Sequence, residues 1–433
     1  MKKVSAVRLV ERDEAALLPE LSEELRVAFA EIADVAREGL LAMSVSVGLG
    51  VMAEMMEAEV TSRAGAKHAK CPEREAGRHG SAPGSVVLGG RRVRVERPRV
   101  RSVDGDEVQL ESYATFGDDD LLGKVVLERM LAGLATRRHR AANEPVGAAV
   151  EAEATSTSRS AVSRRFIAGT SRALEELMSR DLGELDVVVL MVDGVNFAEA
   201  CCVVALAITS DGTKVPVGLW LGDTENKTVV TALLADLVAR GLDASGGLLV
   251  VIDGAKALAA GVRKVFGDQA LVQRCQLHKR RNVADHLPKE TQPWVDRKLA
   301  TAFANPDPDA GLRAAKDLAR SLERAHPDAA ASVREGLEEM FTVRRLGVGD
   351  RLARTLTSTN PIESMISISR TTARNVKRWR DGTMVKRWCA AGMVNAQRSF
   401  RRVKGCKDMP VLVAALRRHV EGVTPACKDE EAA

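Results

Sequence analysis

Two aspartates stand in matching surroundings. Asp193 follows Val-Val-Val-Leu-Met-Val and Asp253 follows Leu-Leu-Val-Val-Ile, and a glycine succeeds each. Read as residues at the exits of apolar strands, they offer carboxylates that nothing inside a sheet can pair, and a divalent cation is the partner that such oxygens suit. A strand followed by Asp-Gly is also an ordinary turn, and either residue alone would be read that way; the repetition favours a metal cradle. A dinucleotide-binding fold puts an acid at a strand end as well. It needs a G-x-G-x-x-G turn after its first strand, and none follows Val192 or Ile252. The third carboxylate is Glu363, in PIESMISISRTTARNVKRWR, with Arg370 seven residues on, about two helical turns along the same face. Glutamate also favours a helix N-terminus through the macrodipole, so spacing alone leaves Glu363 open between ligand and helix start.

Cys275-Gln-Leu-His278 invites a zinc reading, but zinc wants four ligands and no second close Cys/His pair follows. Cys71 with His68 and His79 is likewise too sparse for a metal. Trp379 and Trp388 sit among basic residues, where stacking on a flipped base is conceivable; in a chain with so few aromatics, helix packing is the better use.

The elements that position these residues follow from pattern. Helical spacing runs from about 15 to 62, and Gly39 to Ala53, too short to span a bilayer, reads as a buried helix. A Val-rich run then meets Gly89-Gly90 and an alternation of Val93 and Val95 with Arg92 and Arg94, which predicts a hairpin whose Arg face contacts DNA phosphate and whose second strand stops pairing at Pro98. Residues 120–180 turn helical. Within them Ser158 caps a helix whose first turns carry Arg159, Arg164 and Arg165, as in the second helix of a helix-turn-helix, or as a plain basic surface helix. Strands are expected at Val187–Val192, Cys201–Thr209, Val215–Leu221, Leu248–Ile252 and Ala270–Arg274, with a helix from Glu225 to Arg240. Three strands, a helix and two more strands give an α/β fold with a mixed sheet, the order of a ribonuclease H-like core. A proline-punctuated helical stretch to about 355 reads as an insertion, after which Thr359 or Asn360 starts the helix of Glu363. The expected organisation is an N-terminal helical region with a basic hairpin (1–115), a helix-turn-helix-like region (116–182), the first part of the core (183–288), the helical insertion (289–355) and the final helix with a basic C-terminal region (356–433).

Composition narrows the partners. The 433 residues suffice for several structural units, and 45% apolar with 28% charged residues is the balance of a globular chain. Aromatics are 3%, so a nucleic-acid surface would rely on charge rather than base stacking. The net charge of +5 is modest, but Arg370 to Lys404 holds eleven Lys or Arg against Asp381 alone, and Arg91 to Arg101 holds six Arg against Glu96. Two such segments suit phosphate. Seven scattered cysteines do not make a disulfide framework, and the charged N-terminus MKKVSAVRLVERDEAALL is not a signal peptide, so a reducing cytoplasm is expected.

LMVDGVNF, VIDGAKAL, RCQLHKRRNV and TSTNPIES occur in this order, with a helical segment before the last. Together with the basic hairpin they resemble the mutator-type transposases of bacterial insertion sequences, over nearly the whole chain. The resemblance implies a DDE transposase in which Asp193, Asp253 and Glu363 hold two Mg²⁺ ions, with Mn²⁺ able to substitute. The ions would activate a water and then a DNA 3′-hydroxyl for in-line attack. It further implies terminal inverted repeats and target DNA as partners, a homodimer or larger assembly on DNA, and no membrane. For Cys275 and His278 it implies a role beside the active site, His278 contacting DNA or orienting an acid; Arg370, Lys377 and Arg378 would contact DNA. Two other functions compete: a DNA-binding protein without catalysis, and a structure-selective nuclease on the same core.

Overall fold

The computed structural model describes residues 23–68, 76–143, 146, 148–222, 224 and 226–423. The N-terminal segment read for a signal peptide, the start of the first predicted helix, Cys71, Glu225 and Cys427 lie outside the described residues. Contacts divide the chain into two units, one drawn from residues up to Val126 plus Thr136–Ser163, the other from Leu127–Ala135 plus Arg164 onward. Among the described residues, no helix is long and apolar enough to cross a membrane.

In the first unit, helix α1 (Glu23–Ala64) lays Val60 and Ala64 against Ala76, Val100 and Leu110 of the strand region. The expectation of a buried helix at 39–53 is corrected: the segment is helical, but Leu40 is 66% and Met43 64% exposed, and Val47, Val51 and Met55 continue the stripe. Their spacing of three and four residues gives α1 an apolar face as a core helix has, which is why pattern could not separate the two. The predicted hairpin forms. Strands β1 (Ala76–Leu88) and β2 (Arg91–Ser102) pair antiparallel up to Leu88 opposite Arg91, and Gly89 and Gly90 both adopt positive φ, as a two-residue I′-like turn demands. Pro98 does not end the pairing. It lies opposite Ser81 beside a register shift between Arg78 and Ser81, and β2 runs on to Ser102 to meet the short β3 (Glu107–Val108). A bulge absorbs the amide that proline lacks.

The second unit is built on a five-stranded sheet of β4 (Val187–Phe197), β5 (Ala200–Thr209), β6 (Lys214–Gly222), β7 (Leu248–Ile252) and β8 (Ala270–Arg274), in the order β6-β5-β4-β7-β8. The first three strands pair antiparallel, and β7 and β8 join β4 in parallel. Every residue of β7, and Val187 to Val192 of β4, is buried, as near-continuous Val/Leu/Ile runs require of strands covered on both faces. Alternation sorts those faces. Leu190 and Val192, Val203 and Ala205, Val250 and Ile252 pack with α3 (Lys227–Ala239) and α4 (Lys256–Phe266). Beyond the register shift between Val187 and Val189, odd-numbered β4 residues such as Met191 therefore point the other way, toward the face where α10 (Asn360–Ala373) contacts β4. Asn226 starts α3, its Oδ1 accepting from the Thr228 and Val229 amides.

Between sheet and α10 lies the expected helical stretch: α5 (Gln276–Asp285), α6 (Gln292–Ala304), α7 (Pro308–Leu322), α8 (Pro327–Arg334) and α9 (Asp350–Leu356). It buries its own cluster, including Leu299, Phe303, Leu318, Val333 and Phe341. After α10 come α11 (Gly382–Gln397) and α12 (Met409–Val423). Upstream, α2 (Arg159–Ser179) starts as expected, with Ser158 Oγ accepting from the Ala161 amide at 3.3 Å.

Candidate metal centre and its surroundings

Parallel pairing of β4 with β7 ends at Val192 opposite Ile252, so the next residues, Asp193 and Asp253, leave the paired region side by side. Both are odd-numbered and share parity with Met191 and Val251, on the side of the sheet that meets α10. Asp253 lies at a strand exit, as expected. Asp193 does not: β4 continues through it, paired with Val204 of β5, to Phe197. What stops at 192 is only the parallel edge. Glu363 comes from the first turn of α10, whose N1/N2 region holds Pro361.

Backbone amides aim the two aspartates. Gly194 N donates to Asp193 Oδ1 at 2.8 Å and Ala255 N donates to Asp253 Oδ1 at 2.8 Å. Glu363 is held through its Oε1, which accepts from the Thr359 hydroxyl at 2.6 Å. Each carboxylate thus has one oxygen fixed and a second with no hydrogen bond among the described residues. Burial, and then the charge of Asp253, push the Asp193 carboxyl up to about 7, with Glu363 adding to the shift. His278 and the Gly194 amide oppose it.

Cys275 and His278 sit at the same place. Cys275, at the N-terminal end of α5, is fully buried, and its Sγ lies 3.4 Å from the Thr359 amide and 3.3 Å from the Thr359 hydroxyl. His278 Nδ1 is 3.3 Å from that hydroxyl, and its Nε2 is 3.8 Å from Glu363 Oε1. A hydrogen bond with Cys275, followed by the charges of Cys275, Glu363 and Asp253, raises His278 to about 9 despite its burial. At neutral pH it is an imidazolium among carboxylates. Burial pushes the Cys275 thiol up, but hydrogen bonds with His278 and Thr359 outweigh this and leave it below the ordinary thiol value.

Two ion sites are conceivable on these residues. Ligand atoms of Cys275, His278 and Glu363 lie within 4.8 Å of one another. The Thr359 hydroxyl touches all three, however, so an ion there would have to displace a buried group that already satisfies them. Asp193, Asp253 and Glu363 offer uncommitted oxygens and crowded negative charge instead, and that donor set suits a hard divalent cation. Thr359, foreseen only as a helix start, is the hub of this network. Its signal was faint: Thr357, Ser358 and Thr359 form a polar run that is buried, where a connecting loop would normally expose it.

The other candidates scatter. Arg370 is exposed on α10, and the connection from α10 to α11 exposes Arg374, Lys377, Arg378 and Arg380; none of these five has an ion pair among the described residues. Trp379 in that connection packs its ring 5.3 Å from Phe197 at the end of β4 and 6.5 Å from Trp388 on α11, which itself lies 4.6 Å from Phe166. Both tryptophans are therefore packing residues. On α2, Arg159 and Arg164 are exposed and Arg165 is half-buried. In the hairpin, Arg94 is exposed, whereas Arg92 donates to Ser85 Oγ and to the Gly117 carbonyl. Arg91 pairs with Glu151, and Arg97 and Arg99 pair with Glu107.

Residues 21–402 match the family described as Transposase, Mutator family. The chain is 27% identical over 301 residues to the transposase for insertion sequence element ISRM5 of Rhizobium meliloti (strain 1021), covering 68% of this chain and 73% of the relative. It is 25% identical over 331 residues to the transposase for insertion sequence element IS256 in transposon Tn4001 of Staphylococcus aureus, covering 73% and 80%. A probable transposase for an insertion sequence element of Corynebacterium diphtheriae is 27% identical over 252 residues, covering 55% and 72%.

Two outcomes follow from this geometry. Asp193 titrates higher in the fold than a free carboxyl, so the stability linked to its protonated form is complete below about pH 4 and disappears as pH rises through about 7. In metal-free buffer the thermal midpoint should fall across that window, and Asp193→Asn should flatten the fall; an unchanged profile assigns the titration elsewhere. Thr359→Val keeps the side-chain shape but removes the hydroxyl, and should lower stability in denaturant titrations by about 1–3 kcal/mol, whereas Thr359→Ser, which keeps the hydroxyl, should lose much less. A loss in Thr359→Ser with none in Thr359→Val would show that the methyl group matters and the hydroxyl does not.

Proposed function

The chain belongs to the Mutator family of transposases, and we propose that it cuts DNA strands and joins them to new sites by divalent-metal chemistry at Asp193, Asp253 and Glu363. The observation that carries this reading is that Asp193 and Asp253 leave adjacent strands side by side while the charges of Asp253 and Glu363 both raise the Asp193 carboxyl, each of the three acids having one oxygen anchored and one uncommitted. Three antiparallel strands extended by two parallel ones, with the first acid on the central strand, support a ribonuclease H-like core. The helical stretch from α5 to α9, with its separate apolar cluster, supports an insertion between the second acid and the third.

Asp193 and Asp253 would hold Mg²⁺, or Mn²⁺ in its place, with Glu363 completing the set. Bound there, two such ions supply Lewis-acid charge that lowers the pKa of a coordinated water or 3′-hydroxyl and neutralises the phosphate oxygens. The protein's part is orientation. The Gly194 and Ala255 amides and the Thr359 hydroxyl fix the carboxylates before substrate arrives. Imidazolium His278, beside Glu363, balances charge at the site and would contact a DNA phosphate.

The substrate reading rests on charge. Arg370, Arg374, Lys377, Arg378 and Arg380 follow Glu363 on and after α10, and Trp379 holds their connection against the end of β4, the strand of Asp193. DNA phosphates drawn to these cations approach the carboxylates. Arg94, Arg159, Arg164 and Arg165 are further contacts for the element's terminal inverted repeats, and Arg92 supports the hairpin that presents Arg94. Acting on two ends of one element calls for a homodimer or larger assembly on DNA.

With a duplex carrying the element's terminal repeat and Mg²⁺, wild type should release and join ends, while Asp193→Ala, Asp253→Ala and Glu363→Ala should each bind DNA yet cut at least about a hundredfold more slowly. Nicking without joined product would indicate a nuclease, and binding without cutting in any metal a catalytically silent DNA-binding protein. Lys377→Ala with Arg378→Ala should reduce the slope of log affinity against log salt by about 0.9 per lost phosphate contact, without altering preference among sequences. An unchanged slope would remove these residues from the interface.

A further inference from the structure

We propose that Arg274 is the positioning residue for Asp253, and that through it the segment 335–343 of the helical stretch sets the direction of that carboxylate. The inference rests on reading Asp253 as a metal-holding group. Arg274 ends β8 and lies opposite Ile252 of β7, the residue before Asp253. It is 6% exposed, so its guanidinium must be paired within the fold. Nη1 donates to the Gly254 carbonyl at 3.0 Å, while Nε donates to Glu339 and Nη1 lies 3.9 Å from Glu335 Oε1. Gly254 adopts φ +120°, a conformation that side chains rarely take, and the next amide, Ala255 N–H, is the one that anchors Asp253 Oδ1. The Asp253-Gly254-Ala255 bend is therefore held at two points, by its own aspartate and by Arg274.

The other side of the guanidinium is shaped to receive it. At Gly336, with φ +60°, a Cβ would fall 2.5 Å from both Cζ and Nε of Arg274, so a glycine is required where the segment crosses the guanidinium. The segment is itself bound firmly to the same strand and helix. Gln273 Nε2 donates to the Met340 carbonyl, its Oε1 accepts from the Val343 amide at 2.9 Å, and Thr342 Oγ1 donates to the Val272 carbonyl at 2.7 Å. Glu339 also pairs with Arg263 of α4, which keeps the carboxylate facing Arg274. A displacement of 335–343 thus pulls on the Gly254 carbonyl one residue from Asp253. Groups that support a metal ligand in this indirect way typically change affinity by about 10–100-fold when removed.

The test uses the full-length chain with Arg274→Gln, Arg274→Lys, Glu339→Gln and Asp253→Asn. Two quantities are read: Mn²⁺ affinity by titration calorimetry, and amide hydrogen exchange in peptides covering 253–258. Arg274→Gln and Glu339→Gln should weaken Mn²⁺ about tenfold and speed exchange at Gly254 and Ala255, with DNA affinity unchanged; Arg274→Lys, able to reach only one partner at a time, should fall between them and wild type. Should Arg274→Gln fail to fold, Glu339→Gln carries the same expectation. Wild-type Mn²⁺ affinity together with unchanged exchange in both variants overturns the proposal. If Asp253→Asn binds Mn²⁺ as wild type does, the metal reading of Asp253 falls instead, and exchange at 253–258 still decides whether Arg274 holds the bend.

Discussion

Two carboxylates leave the β4–β7 edge side by side, partly out of water, and their mutual repulsion is the constraint to which the rest of this unit answers. Charge in such a place has three remedies: protonation, a cationic side chain or a bound cation. The first two are visible here, and the acids leave oxygens free for the third. Asp193 is pushed up to about 7, His278 is raised to about 9 beside Glu363, and the remaining oxygens of the three acids are left uncommitted. A sheet of pure Val, Leu and Ile would be more stable without the acids. That they stand on its best-packed strands argues that the electrostatic strain belongs to function.

The scaffold fixes this strain with backbone rather than with long side chains. Amides of Gly194 and Ala255 lie within two residues of the carboxylates they hold, so the sheet and its exit loop determine where the aspartates point. Glu363 is different, because it must be brought from a helix far along the chain. A buried threonine joins it to Cys275 and His278, so that α5 and α10 meet at one residue, through its hydroxyl and its amide. Long-range parts of the site thus rest on a few side-chain contacts, and short-range parts on secondary structure.

That division explains what the sequence could tell. The five strands and the helix after β6 were legible because Val-rich runs broken by glycine have few other uses. The acidic pair itself was legible from its repeated context. The end of β4 was misjudged because Asp193-Gly194 looks like a turn; antiparallel pairing to β5 carries the strand four residues past it, to a tight connection in which Ala198 takes φ +53°. Arg274 gave no local cue, since its carboxylate partner lies 65 residues away; Thr359 stands four residues before Glu363, but its link to Cys275 spans 84 residues. The hairpin arginines misled in another way: alternation correctly gave a strand, but several of those guanidinium groups are engaged by protein carboxylates and carbonyls, which no one-dimensional pattern reports.

The distance along the chain between the second acid and the third has a consequence for how the protein is made. Asp253 and Glu363 are 110 residues apart, and the intervening helices bury an apolar cluster of their own. At synthesis rates of about 5–20 residues per second, the sheet with its two aspartates precedes the last carboxylate by roughly 5–20 s. By the end of that interval a nascent chain can have strands, basic hairpin and helical stretch folded while its carboxylate set is incomplete. Any fragment that ends before residue 360 stays in that condition and never assembles the three acids.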